Sequence, residues 1–121
     1  MYYPIPFVLS GNSRNMAVVT TPRYLCSHMV RLKVGDNPGR WANLEEIWSD
    51  GAVLECEEDI RSGEPARISC EGAFFAGHVT AVERHEFGWK VEIRFLPATP
   101  WSIEQWRPEH ALDPASLGGA P

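Results

Sequence analysis

The segment from Trp89 to Phe95 constrains the fold of this chain more than any other. Trp89, Val91, Ile93 and Phe95 alternate strictly with Lys90, Glu92 and Arg94. A period of two places the apolar set on one face and the charged set on the other, which is the pattern of a half-buried strand. The same alternation returns in shorter runs. Ala66, Ile68 and Cys70 are separated by Arg67 and Ser69, and Ala52, Leu54 and Cys56 by Val53 and Glu55. Phe74 to Glu83 is rich in β-formers and leads through Arg84-His85-Glu86-Phe87-Gly88 into Trp89, so the two segments read as a long hairpin. Two earlier strands, Met29 to Val34 and Trp41 to Trp48, flank Gly35-Asp36-Asn37-Pro38-Gly39, and Asp50-Gly51, Ser62-Gly63 and Gly72 supply further turns. Short strands, turns about every 8 to 12 residues and little helical period predict an all-β antiparallel sandwich or closed barrel. Closure would hide the strand edges. Leu54, Ile68, Val79, Val91, Ile93 and Phe95 are the predicted core.

The character changes after Leu96. Ser102-Ile103-Glu104-Gln105 fits a capping box, and Trp101 and Trp106 hold the two positions of a hydrophobic staple, so a short helix is predicted there, stopped by Pro108. Two indoles this close would form an apolar patch if exposed, so Trp101 and Trp106 are expected to pack on the barrel or on a partner, and they are the candidates for a partner contact. With 121 residues, one core is the expectation. The chain divides into an N-terminal extension, 1–22, a barrel domain, 23–97, and a C-terminal helical segment with a frayed tail, 98–121.

Composition excludes several classes. A hydrophobic fraction of 44% and a charged fraction of 22% are those of an ordinary globular protein. The longest apolar runs fall far short of the roughly 20 residues that span a bilayer, so no membrane insertion is expected. Met1 to Ser10 is apolar but has no charged leader and is broken by Pro4 and Pro6, which reads as a non-exported start. Three cysteines, odd in number and far apart, suit a reducing compartment, and the expected location is cytoplasmic. A net charge of −5 disfavours nucleic acid as a partner.

Four stretches together carry a resemblance. They are Ala42-Asn43-Leu44-Glu45-Glu46-Ile47-Trp48-Ser49-Asp50-Gly51-Ala52-Val53-Leu54, then Ser62-Gly63-Glu64-Pro65-Ala66-Arg67-Ile68, then Phe75-Ala76-Gly77-His78-Val79, and Val91-Glu92-Ile93-Arg94-Phe95. In order and spacing, residues 23 to 97 resemble the bacterial PilZ domain. The resemblance implies a six-stranded antiparallel barrel and, as ligand, the second messenger cyclic di-GMP. Such domains hold it with two arginines four positions apart and with an Asp or Asn, any residue, Ser, two residues, Gly motif. A guanidinium stacks on guanine and forks to phosphate, while the short carboxylate and hydroxyl meet polar edges of the ligand. The matching positions here are Arg23 and Ser27 for the arginine pair and Glu46, Trp48 and Gly51 for the second motif, and only Arg23 and Gly51 keep the family residue. Glu46 sets its carboxylate one methylene further out. Trp48 puts an indole where a small hydroxyl is usual, either plugging the site or lining a rebuilt pocket. No cofactor is therefore expected, and cyclic di-GMP is disfavoured.

The remaining constellations have plainer readings. Arg14, Arg23, Arg31 and Arg40 read as solvated charges, with an anion site as the alternative. Cys26, His28, Cys56, Cys70 and His78 lack the close pairs of a zinc site, so core thiols are expected and no metal. Asp50, Glu55, Glu57, Glu58 and Asp59 read as a solvated acidic face, not a calcium loop. His85 and His110 have no nucleophile linked to them by spacing, so no catalytic residue is assigned and no enzyme is expected. The expected function is a signalling adaptor working through another bacterial protein. A cyclic di-GMP receptor with non-standard contacts and a structural homodimer subunit are the alternatives.

Overall fold

A computed structural model of the chain describes residues 22–113. Six strands follow one another: β1 (Tyr24–Val34), β2 (Arg40–Trp48), β3 (Gly51–Cys56), β4 (Pro65–Cys70), β5 (Ala73–His85) and β6 (Gly88–Phe95). They close into an antiparallel barrel in the order β1-β2-β3-β6-β5-β4, with β4 pairing back onto β1 from Arg31↔Ser69 to Val34↔Ala66. Each strand thus has a neighbour on both sides, so the ring has no edge strand.

The alternation read from the sequence places the core. Leu54, Ile68, Val79, Val91, Ile93 and Phe95 are all buried, and Val30, Leu32, Leu44, Ile47 and Phe75 join them. Strand β1 buries its even positions from His28 to Val34. In β2 that phase breaks. Ala42 and Leu44 point inward, then a register shift between Leu44 and Glu46 turns Ile47 inward. A bulge adds one residue to one strand only, so every side chain beyond it changes face.

Two features differ most from the sequence reading. Strand β1 starts at Tyr24, five residues before the predicted Met29, because its first part is held by distant partners. Leu25 exchanges two backbone hydrogen bonds with Leu112, at 2.8 and 2.7 Å, and Ser27 N–H donates to the Glu109 carbonyl. Secondly, no helix occurs among the described residues. Where one was predicted, Ser102 caps a single turn: its Oγ accepts from Gln105 N–H at 3.3 Å, and its carbonyl accepts from Trp106 N–H at 3.3 Å. Pro100 and Pro108 leave too few residues between them to repay helix nucleation.

The indoles of this segment pack on the barrel. Trp101 is 4% exposed and belongs to the core cluster, with its N–H donated to the Trp106 carbonyl and its ring edge-on to Tyr24 at 5.5 Å. Trp106 packs partly buried against His28 and Phe75. Of the two expected places, on the barrel or on a partner, Trp101 takes the first and closes one end of the barrel. Among the described residues no helix is long and apolar enough to cross a membrane.

Candidate functional site

Four of the five positions singled out in the sequence, Arg23, Glu46, Trp48 and Gly51, meet beside the start of β1. The β2–β3 hairpin turns at Ser49-Asp50, whose carbonyls accept from Trp101 N–H at 3.1 Å and Phe95 N–H at 2.7 Å. These bonds pin the turn and set Trp48 directly opposite Gly51. A methyl group on Gly51 would collide with the Ile93 carbonyl and stand 2.9 Å from Trp48 Cζ2, so the indole lies on the bare glycine backbone. Trp48 is 7% exposed yet lies outside the core cluster, which means it is buried as a cover on the wall.

Arg23 closes the cover from outside. Its guanidinium sits 3.8 Å over the Trp48 ring, and Nη1 donates to Glu46 Oε1 at 3.1 Å. The arginine thus contacts both the carboxylate and the indole. Together the two contacts are worth about 0.5–1 kcal/mol at this exposure, so the closure is a modest one. Ser27 does not take part; its hydroxyl donates to Asn43 Oδ1 at 3.3 Å. Cys26 lies beneath, its thiol donating to the Leu44 carbonyl at 3.5 Å. Burial, followed by the charges of Glu46 and Glu45, pushes that thiol up to about 12, so it remains protonated and is no nucleophile.

A second cluster was missed in the sequence as a unit. His28, Cys70 and Glu71 bring a ring nitrogen, a sulfur and a carboxylate oxygen within 4.8 Å of one another. His28 and Cys70 occupy the inward phase of β1 and β4, and Glu71 follows in a turn with φ of 51°, a left-handed conformation unusual for glutamate. The alternation of the two strands was the available signal; the turn that brings up Glu71 was not. Glu109 N–H donates to His28 Nδ1 at 2.8 Å, which places the ring proton on Nε2, 3.0 Å from Cys70 Sγ. In that tautomer Nε2 is a donor. It offers no lone pair to a metal and cannot take a proton from the thiol. Burial and then Glu71 and Glu109 raise the Cys70 thiol, which also opposes a thiolate. The cluster therefore clamps the segment around Glu109 to the barrel.

The other residues of the imagined zinc set are dispersed. His78 is exposed on β5, and Cys56, buried on β3, donates to the Glu58 carbonyl at 3.6 Å. Burial raises its thiol, and Arg40 lowers it in part. Of the four arginines considered as an anion site, Arg14 lies outside the described residues. Arg23, Arg31 and Arg40 are engaged separately with Glu46, the Gly39 carbonyl and Glu58. No protein-family model matches the chain, and no curated protein matches it.

Proposed function

We propose that this chain is a PilZ-type signalling adaptor of the bacterial cytoplasm, which acts by contacting another protein and does not take up cyclic di-GMP. The observation that carries the reading is the closure at Arg23, Glu46 and Trp48. A cyclic dinucleotide would need the guanidinium for its phosphate or guanine, and here Glu46 and Trp48 already hold it. The indole also fills the space over Gly51 that a small hydroxyl would leave open. The closed six-stranded barrel supports the family part of the reading.

The energetic side agrees. Loss of two or three charge-assisted hydrogen bonds at about 1.5–3 kcal/mol each carries a micromolar complex to roughly millimolar or weaker. Calorimetric titration with cyclic di-GMP at physiological salt is expected to give no saturable heat. A micromolar complex that Arg23→Ala abolishes would instead make the chain a receptor with non-standard contacts.

A further inference from the structure

We infer that the groove between Trp41 and Phe87 is the partner-binding site, and that it takes a segment carrying Lys or Arg beside an apolar side chain. This deepens the adaptor reading and rests on it. The groove is a hollow of about 480 Å³ at the end of the β1–β2 ladder away from Arg23. Met29 and Trp41 form one wall, 52% and 60% exposed, and Phe87 at the tip of the β5–β6 hairpin, 78% exposed, forms the other. Its polar lining holds Glu55, Glu57 and Glu58 against a single cation, Arg40.

The pairing within the groove leaves negative charge over. Arg40 pairs with Glu58, and His85 stands 2.7 Å from Glu55. Glu57 has no ion pair among the described residues and is exposed. An anionic partner would be repelled, and a purely apolar one would leave these carboxylates facing a desolvated surface. A basic segment answers both conditions, its cation meeting Glu57 and its apolar neighbour lying on Met29 and Phe87. Trp41 already accepts one guanidinium, since Arg31 stacks at 5.0 Å and is fixed by its hydrogen bond to the Gly39 carbonyl. Only one face of an indole can be covered by one arginine, and a second cation finds the same quadrupole on the other.

The test is a nuclear magnetic resonance titration of the full chain with two short synthetic peptides. One repeats Arg-Leu-Lys-Phe; the other carries Glu at each basic position. The basic peptide is expected to shift the Trp41 indole N–H and the Glu57 and Phe87 amides in a saturable way, and the acidic one to leave them in place. Trp41→Ala should weaken binding roughly tenfold and Glu57→Lys about threefold. Both side chains are exposed, so an unchanged remainder of the spectrum verifies folding. Equal shifts from the two peptides, shifts confined to other surfaces, or a Trp41→Ala variant that binds as before would overturn the inference. So would a dimer of the free chain that Trp41→Ala dissolves, which would give the groove to a second copy. The cyclic di-GMP titration reads the opposite end of the β1–β2 ladder, so failure of the groove and failure of the adaptor reading are separate results.

Discussion

Strand β2 carries a tryptophan near each end, and each has an arginine over its ring, yet Trp41 is 60% exposed and Trp48 7%. The difference lies in what each indole rests on. Trp48 faces Gly51 across the β2–β3 ladder, and the absent side chain there leaves a bed for the ring. Trp41 stands beyond that ladder, whose pairs run only from Asn43↔Glu55 to Trp48↔Gly51, so no β3 residue is paired with it. The same pair of residue types thus makes a sealed cover at one end and an open platform at the other. Composition does not distinguish them; the residue opposite does.

Deleting each indole sharpens the contrast most. Trp48→Ala should lower unfolding free energy by about 3 kcal/mol, because a buried ring is removed from a site that cannot collapse onto a bare glycine. Trp41→Ala should change it by no more than about 0.5 kcal/mol. Urea denaturation measures both, and equal losses would break the comparison. Gly51→Ala comes next, at about 2 kcal/mol, since the added methyl meets the Ile93 carbonyl and the Trp48 ring. Combined with Trp48→Ala it should cost less than the sum, because one of the two collisions disappears. Strict additivity would show that the indole does not lie on the glycine.

Arg23→Ala should cost about 0.5–1 kcal/mol, partly screened by salt, as expected of an ion pair and stacking contact at the surface. At neutral pH the smallest effect belongs to Cys26, whose contribution shows only in alkali. Its thiol titrates near 12 in the folded chain and at 9.0 in the reference state, so folding favours the protonated form. That contribution is complete below pH 9 and disappears as the pH rises toward 12, when the unfolded chain ionises first. Cys26→Ser keeps a donor for the Leu44 carbonyl and does not titrate in this range, so its stability should fall less steeply with alkaline pH. Parallel slopes for the two proteins would contradict the buried-thiol account.

The candidate site was only partly legible before folding. Glu46, Trp48 and Gly51, and Arg23 with them, were grouped by the family motifs the sequence resembles, but that the arginine would stack on the indole depended on Tyr24 pairing with Ile47 across the barrel wall. Ser27, four residues after Arg23, was grouped with it and lies apart, because the bulge between Leu25 and His28 breaks the spacing. Trp101 and Trp106 read as a local staple that packs on the barrel or on a partner. Their real partners, Tyr24, His28 and Phe75, are distant in sequence, and no local pattern announces such a contact.

What the sequence determined by itself was the period: alternation in Trp89 to Phe95, Ala66 to Cys70 and Ala52 to Cys56 decides which face is apolar, and an apolar face must be buried. Strand existence, all-β class and five of the six predicted core residues follow from that local rule, Val79 having been read from the β-formers of Phe74 to Glu83. Closure of the ring decided the rest. It set which strands are neighbours, where bulges reverse the phase, that Trp101 seals an end, and that Trp48 finds a glycine beneath it while Trp41 does not. Those outcomes depend on pairs of residues far apart in the chain, which a period of two leaves unspecified.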